Sequence, residues 1–397
     1  MKGKNSKERW RRTRLFSLIF TLFPLLAFLP SPLQAEPYIA IREGYKCSFC
    51  HVNKTGGGKR TQAFSTFARR FIDYPEEIFS DLEERTQHLT GQLVPGISIG
   101  ANLRATNTTT FRDTPNARGR VPNNRAFRPA KANDFDISEG VGYLQVDLIR
   151  DALTFYLDES FAPGSATNRE TFGLISGFLP WDIYVKGGKF FPPYGIRLQD
   201  DTAFIRSRTG FNFANPDKGV EIGIAPGGFF LSAAVTNGTT TSGESLGKQF
   251  SLNSYYLFTK VPFVRTVMLG GSFARNDPAD RTLYSLYAGT NLWKFTLLAE
   301  GDFTHEKMPD MGKVNWRAIY TEANYLLFDW LNVKFAYDFF DPDTDVGEDA
   351  QDRFSLGLEP FLSKFLQLRL FYRVANGIPQ RPQDNFDQLT AEMHVFF

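Results

Sequence analysis

The sequence predicts an all-β fold: a porin-like transmembrane barrel of sixteen antiparallel strands, with a small α-helical segment at its N-terminal end. Aromatic residues make up 15% of the 397 residues, with 40 Phe, although the mean hydropathy is −0.28. From about residue 91, segments of roughly ten residues alternate between apolar and polar positions. A barrel whose alternate residues face lipid and lumen accounts for both observations.

Residues 1–35 have the organisation of a secretory signal. Basic residues come first, an apolar stretch runs from Leu15 to Leu29 around Pro24, and Leu33-Gln34-Ala35 is a small-residue cleavage site. An uncleaved anchor is the alternative, although the stretch is short for a membrane span. We therefore expect an exported chain that begins at Glu36.

The charge balance changes when residues 1–35 are removed. The 45 basic residues fall to 38 and the 43 acidic residues to 42, so the net charge moves from +2 to about −4. A nucleic-acid partner has no support from this balance. No later run of 18 apolar residues is present, so membrane-spanning helices are not expected.

The run Cys47-Ser48-Phe49-Cys50-His51 has the C-x-x-C-H spacing of a haem c attachment site. Two thiols at this spacing bond one edge of the macrocycle, and the adjacent imidazole becomes the proximal iron ligand. The chain has no other cysteine, so no disulfide framework competes. A bare redox dithiol is the alternative. The sequence predicts one covalent haem c on Cys47, Cys50 and His51.

The predicted haem segment spans residues 36–90. Its Gly56-Gly57-Gly58 run departs from the phosphate-loop pattern and predicts a turn close to the haem edge. Lys59 or Arg60 is expected to pair with a haem propionate. Apolar residues at helical spacing between Phe64 and Phe71 predict a helix that covers the haem or packs on the barrel.

The predicted barrel occupies residues 91–397. Its connections alternate between long and short, beginning with a long loop from Asn107 to Glu139 and a tight turn at Arg150-Asp151. This pattern fits short periplasmic turns and long external loops, with both termini in the periplasm. The sixteen strands are predicted near residues 97–106, 140–149, 152–161, 170–177, 182–191, 219–225, 228–237, 249–258, 265–275, 282–291, 294–304, 316–326, 330–340, 351–360, 364–374 and 387–397.

The last predicted strand ends on Phe397, which resembles the terminal signature of bacterial outer-membrane barrels. Its alternation places Glu392 and His394 in the lumen near the periplasmic mouth. Two other stretches, residues 188–195 and 233–238, resemble parts of phosphate-selective and related porins. They favour a pore architecture.

An exported chain with one C-x-x-C-H, a short linker and a sixteen-strand barrel resembles the fused monohaem cytochrome–porins of outer membranes, which include iron oxidases. The resemblance rests on Cys47, Cys50, His51 and the stretch from Phe64 to Phe71. Residues 52–58 depart from the iron-oxidase branch. The resemblance implies electron transfer across the outer membrane and leaves the electron donor open.

The sixth haem ligand has two candidates in the sequence. His88 is the one further histidine between residues 36 and 90, and closure of the barrel brings His394 to the same rim. Both are candidates for the distal ligand, and the alternative is that each is a polar residue at a wet interface. His305, Met308 and Met311 are placed in a predicted external loop, from which they reach a periplasmic haem only by folding inward.

Two predicted external loops carry opposite charge. One is acidic and offers oxygen ligands for hard cations such as ferrous iron, or binds divalent ions that bridge lipopolysaccharide. Its carboxylates are Asp341, Asp343, Asp345, Glu348, Asp349 and Asp352. The first loop is basic and is expected to face lipopolysaccharide or to fold into the lumen. Its basic residues are Arg112, Arg118, Arg120, Arg125, Arg128 and Lys131.

The functional hypothesis is an outer-membrane electron conduit that passes single electrons between an extracellular donor and a periplasmic cytochrome or other carrier. With ferrous iron as donor it would act as an iron(II):cytochrome oxidoreductase. One alternative is a solute porin whose haem segment is a periplasmic cap. Another is outward export of electrons to extracellular acceptors, because the direction depends on a reduction potential that the sequence does not give.

Overall fold

The computed structural model describes residues 36–61, 91–112, 130–238, 247–308, 312–377 and 385–397. They form one closed antiparallel barrel of sixteen strands with a short helical segment, as the sequence predicts. Strands β2 to β17 pair in chain order, and β17 returns to pair with β2, for example His394 with Arg104. Because the ring closes, no strand of it is left with an unpaired edge.

The described residues contain three short α-helices: α1 (Pro37–Glu43), α2 (Cys47–Cys50) and α3 (Phe204–Ser207). The strands are β1 Gln92–Val94, β2 Ile97–Phe111, β3 Ala130–Ile149, β4 Leu153–Ala162, β5 Thr167–Ile175, β6 Tyr184–Phe190, β7 Asp217–Ile224, β8 Phe229–Thr236, β9 Gln249–Thr259, β10 Thr266–Asn276, β11 Arg281–Leu292, β12 Phe295–Met308, β13 Gly312–Phe328, β14 Leu331–Asp341, β15 Gln351–Ser363, β16 Leu366–Asn376 and β17 Phe386–Phe396.

All sixteen predicted strands are confirmed, with small shifts at their ends. The largest difference concerns the predicted loop from Asn107 to Glu139, part of which is strand: β2 continues to Phe111 and β3 begins at Ala130. Polar pairs extend the ladder there, such as Asn107 with Asn133, whose side-chain amides exchange hydrogen bonds at 3.2 Å. The sequence does not predict this extension, because its residues are polar and do not alternate with apolar ones. The short β1 pairs with β2 and was not predicted.

The barrel is apolar outside and polar inside. On β7, Val220 and Ile222 are 56% and 53% exposed, whereas Glu221 between them is fully buried. An exposed apolar face that encloses buried charges is the inverse of a soluble protein and suits a surrounding of lipid. The described helices include none that is long and apolar enough to cross a membrane.

The connections divide the barrel into two ends. At one end the strands are joined by short turns, such as Trp293-Lys294 and Asp329-Trp330, and the chain ends there at Phe397. At the other end the connections are longer, and residues 191–216 fold back into the lumen. The backbone N–H of Ile196 donates to Glu300 on the inner wall at 2.7 Å. Residues 191–216 therefore narrow the lumen.

Candidate haem site

Residues 36–61 lie inside the ring at the short-turn end. Helix α1 packs on β10, β11 and β12, where the Thr266 hydroxyl donates to the carbonyl of Ile41. Ile41 also fits against Gly289, where a Cβ atom would approach Ile41 closer than 3.0 Å. The Lys46 ammonium donates to the carbonyl of Ala225 in the turn after β7. The segment is thus fixed to several strands of one wall.

Asn53 fixes the same segment to another part of the wall. Its side chain is fully buried, and its amide NH₂ donates to Glu170 on β5 at 2.7 Å. Its amide oxygen accepts from the ammonium of Lys186 on β6 at 3.1 Å. Lys186 in turn pairs with Glu221 at 2.8 Å. Both polar atoms of the Asn53 side chain therefore have hydrogen-bond partners. Removal of one partner would cost free energy, because a buried polar group would be left without a hydrogen bond.

Helix α2 is a single turn that carries the two cysteines. Positions three apart in a helical turn lie on the same side, so Cys47 and Cys50 face one direction. Cys47, Cys50 and His51 all line one cavity of about 130 Å³. Its apolar lining includes Ile41, Tyr143, Ile196, Phe230, Leu257 and Met268.

The two thiols are not joined to each other. Burial raises the pKa of Cys47, and burial together with the neighbouring Cys47 raises the pKa of Cys50 to about 12. Redox dithiols work as thiolates with a lowered pKa. The raised pKa values of Cys47 and Cys50 differ from that pattern.

His51 is oriented by the backbone that follows it. Its ring nitrogen Nδ1 lies 3.3 Å from the carbonyl oxygen of Gly58, and an isolated β-bridge joins His51 to Arg60. A proton on Nδ1 that donates to Gly58 leaves Nε2 as the metal-binding nitrogen. Burial, and then the charge of Arg60, lower the pKa of His51 to about 3. The imidazole is therefore neutral, which is the form that binds iron.

The three glycines predicted as a turn at the haem edge all line this cavity. Each adopts a positive φ, and Gly58 is the most constrained: at φ +66° an added Cβ would lie closer than 3.0 Å to the hydroxyl of Tyr156. That hydroxyl accepts from the backbone N–H of Lys59 at 2.8 Å. Arg197 donates to the carbonyl of Gly56 at 2.7 Å. The loop is thus held from two sides, and glycine is required at Gly58.

Of the two predicted propionate partners, Arg60 lines the cavity and Lys59 does not. The Lys59 ammonium turns back and donates to the carbonyl of Arg60 at 3.2 Å. The Arg60 guanidinium stacks on Phe396, 3.8 Å from the ring centroid. Three further arginines line the same cavity and were not singled out from the sequence: Arg104, Arg169 and Arg197.

His394 lines the cavity from β17, and its side chain is almost fully buried. Both ring nitrogens have partners in the wall: Nε2 lies 2.7 Å from Asn102 Oδ1, and Nδ1 lies 3.2 Å from Gln367 Oε1. The other histidine predicted as a distal ligand, His88, lies outside the described residues, as does the stretch from Phe64 to Phe71.

Several of the residues predicted in external loops lie in strands. His305 and Met308 belong to strand β12 and not to a loop, because the β12–β13 ladder extends to Met308 and Gly312. Asp341 ends β14 and pairs with Arg317 at 3.0 Å. In the described part of the chain, no three His, Cys, Asp or Glu side chains are grouped so as to hold a metal ion. The acidic residues Asp343, Asp345, Glu348 and Asp349 would therefore attract cations through their charge and not as a set of metal ligands.

A second, wider cavity of about 1340 Å³ adjoins the haem-motif cavity. The two share lining residues, among them Glu36, Arg104 and Gln199. The wider cavity is lined by both signs of charge, including Lys189, Asp200 and other residues near the outer ends of the strands. The two cavities are therefore adjacent inside the barrel.

The donor groups of this cavity have the chemistry that a covalent haem c requires. The two thiols and the neutral imidazole line it together with apolar residues and arginines. The thiols would hold the macrocycle, Nε2 of His51 would bind the iron, and the group would supply one-electron redox chemistry. Sequence reasoning missed Asn53, Tyr156 and Arg197, which hold the motif in place from the barrel wall.

No protein-family model matches the chain, and no curated protein matches it in sequence. Solved outer-membrane proteins share its fold. Pseudomonas putida OprB is similar over 79% of this chain and 96% of its own, with 10% identity and a TM-score of 0.55. An anion-selective porin from Comamonas acidovorans covers 76% of this chain and 99% of its own, with 12% identity and a TM-score of 0.53.

A loop L8 deletion mutant of OmpT, an outer membrane protein of Vibrio cholerae, is also similar, over 76% of this chain and all of its own, with 11% identity and a TM-score of 0.53. At these identities the likeness concerns the fold alone. This chain has the fold of an outer-membrane porin, and that fold, with its apolar exterior, supports localisation in an outer membrane in contact with lipid and lipopolysaccharide.

Proposed function

We propose that the protein is an outer-membrane electron conduit that carries one covalent haem c on Cys47, Cys50 and His51. The observation that carries the proposal is the cavity inside the barrel onto which all three side chains face. Electrons would pass between an extracellular partner and a periplasmic carrier. In each turnover a donor outside loses one electron, and an acceptor on the periplasmic side gains it.

The contacts of residues 36–61 with the wall also support this proposal. The segment is bound to β5 and β6 through Asn53 and to β14 through Glu36, which lie on different sides of the ring. A segment that bridges the lumen obstructs solute flow at the short-turn end. Such an obstruction hinders a porin but not a carrier of electrons.

The wide outer cavity indicates the class of the external partner. It shares lining residues with the haem-motif cavity, so we expect a small soluble redox partner to exchange electrons with the motif from the outer side. A hydrated metal ion such as ferrous iron belongs to this class, and the acidic residues from Asp343 to Asp349 would raise its local concentration. We expect a protein partner to dock at the periplasmic end.

The test is electron transfer across a vesicle membrane. Purified protein with its haem attached is reconstituted in liposomes that contain a soluble cytochrome as acceptor, and a membrane-impermeant reductant is added outside. We expect reduction of the trapped acceptor at a rate proportional to the protein. The control is Cys47→Ala/Cys50→Ala, which keeps the barrel and lacks the thioether sites. Equal rates for this control and the unaltered protein would overturn the proposal.

A solute porin with a haem-bearing cap is the second candidate. The similarity of the barrel to porins, one of them named as anion-selective, and the wide charged outer cavity favour it. Planar-bilayer conductance separates the two candidates. A conduit should show little open-channel current, because residues 36–61 bridge the lumen. A large current together with no electron flux in vesicles would select the porin. Flux that runs only from inside to outside would indicate export of electrons.

A further inference from the structure

We propose that Met268 is the second axial ligand of the haem iron, an inference that rests on the proposed attachment of haem to Cys47, Cys50 and His51. Met268 lies on β10, is 9% exposed and lines the same cavity as His51. Apart from the two attachment thiols, its thioether is the one soft donor among the described residues that line this cavity.

On β10, the inward-facing residues before and after Met268 lie where the wall contacts the haem-motif segment. Residues 266, 268 and 270 share the inward face of the strand. Thr266 donates to the carbonyl of Ile41, which fixes the end of helix α1. Gly270 pairs with Tyr255 on β9, and the Tyr255 hydroxyl faces the Cys47 thiol. Met268 therefore lies between two points at which the wall contacts the segment, one before Cys47 and one at Cys47.

His51 and Met268 approach the cavity from different walls. The loop that orients His51 is fixed to β4 through Tyr156, at the backbone N–H of Lys59. Strand β10 lies six strands further round the ring from β4. His51 and Met268 would therefore reach a bound haem from different parts of the wall, as the two iron ligands of a haem must.

The wall network around His394 argues against that residue as the distal ligand. The Asn102 NH₂ donates to Glu139 at 2.8 Å, so Asn102 Oδ1 is the atom that faces His394 Nε2. Nε2 must then carry the proton, and it is not free to bind iron. Gln367 occupies the Nδ1 side at 3.2 Å. Iron binding by His394 would break this buried network.

Of the tyrosines on the same wall, Tyr287 donates to Asn253, and the Tyr255 hydroxyl lies beside the Cys47 thiol, away from the position of Met268 on the next strand.

A methionine ligand has a chemical consequence that fits an electron acceptor. Compared with two imidazoles, a histidine and a thioether favour the reduced iron and raise the reduction potential. An acceptor of higher potential draws electrons from weak external reductants.

The test compares three methionine variants of the full-length protein with haem attached. Met268→Leu keeps the volume and removes the sulfur, a swap that cores tolerate well. Met268→His restores a strong ligand at the same position. Met393→Leu is the matched control, because Met393 is on the lipid-facing side of β17 and 44% exposed. The readouts are the near-infrared sulfur-to-ferric-iron band, electron paramagnetic resonance and the midpoint potential.

We expect the unaltered protein and Met393→Leu to show the sulfur band, Met268→Leu to lose it and fall in potential, and Met268→His to give a bis-imidazole signature. Retention of the same spectrum and potential in Met268→Leu would overturn the inference. So would a bis-imidazole signature in the unaltered protein, which would favour His88. A purified barrel that carries no covalent haem would overturn the proposed function and this inference together. Haem without a sulfur band would overturn the inference alone.

Discussion

Glu36 and Lys334 form an ion pair of 2.7 Å that joins the start of the haem-motif segment to the wall of the barrel. Both side chains are buried, and Lys334 is also 3.1 Å from Glu359. Arg369 contributes a second cation, 3.6 Å from Glu36. The carboxylate of Glu36 thus completes a network of charges inside the lumen. A buried pair of this kind is costly to break, because the remaining charge stays in a poorly solvated place.

Replacement of Glu36 should loosen the segment. In Glu36→Gln the charges of Lys334 and Arg369 lose one carboxylate, so we expect faster amide hydrogen exchange across residues 36–46. Asp280→Asn is the control, because Asp280 and its partner Arg275 are both about half exposed, and such pairs contribute about 0–1 kcal/mol. Equal effects of the two variants would show that the Glu36 pair does not anchor the segment.

The Glu36 pair also predicts a dependence on pH. Burial acts to raise the pKa of Glu36, but Lys334 and Arg369 outweigh it and lower the pKa from 4.5 to about 2. Because the pKa is lower in the folded state, the stabilisation is present above pH 4.5 and is lost as the pH falls towards 2. Proteolysis of residues 36–61 by an acid-active protease should increase across that interval. In Glu36→Gln this increase should be smaller.

Gly58 should not accept a side chain. An added methyl group would meet the Tyr156 hydroxyl, and the positive φ costs a further ~1–2 kcal/mol. We expect Gly58→Ala to displace the loop that orients His51 and to lower the yield of covalently attached haem in a peroxidase-stained gel. Gly173→Ala on β5 is the control, because no atom lies within 4 Å of its added Cβ. An unchanged haem yield in Gly58→Ala would contradict this account of the loop.

Asn53 should control how firmly the lumen is obstructed. Asn53→Ala leaves Glu170 and Lys186 without their shared partner and removes the link between the segment and β5–β6. We expect more frequent and larger open-channel events in planar bilayers. Asn107→Ala, at the exposed outer end of β2, serves as the control and should leave the current unchanged. If both variants conduct like the unaltered protein, Asn53 does not hold the obstruction in place.

The lipid-facing surface should tolerate charge only near its rims. Leu286 on β11 is 71% exposed on the outside of the barrel, and Leu286→Arg should destabilise the barrel by about 2–4 kcal/mol if that position is near the bilayer midplane. Trp293→Arg, in a short turn at the rim, should cost only about 0–1 kcal/mol. Urea titration of folding into lipid vesicles measures both. Similar costs would contradict the assignment of the outer face.

Several features of the fold were predictable from particular residues. Val220 and Ile222 alternate with Glu221, and this alternation predicts the strand and its two faces. The outer parts of β2 and β3 could not be predicted from this alternation, because polar residues such as Asn107 and Asn133 give no contrast between the two faces of a strand. The strands were therefore predictable where lipid meets one face, and less so where both faces are wet.

The haem motif was predictable, but most of the residues that support it were not. Cys47, Cys50 and His51 stand at fixed spacing, which is a local property. Tyr156 and Arg197 contact the loop after His51 from about a hundred or more residues away. Met268 was predictable in part, since Thr266 and Met268 share the inward face of a predicted strand. Its position beside the motif depends on where helix α1 docks.

The sequence by itself determined the strand number and the direction of each face, and it predicts haem attachment at Cys47, Cys50 and His51. These depend on spacings of two or three residues, which the covalent geometry of the chain enforces. The tertiary structure alone decided that residues 36–61 lie within the ring, that Arg60 and not Lys59 lines the cavity, and that His394 is held in the wall. These features depend on contacts that form only when the barrel closes, so the local spacing of residues in the sequence does not predict them.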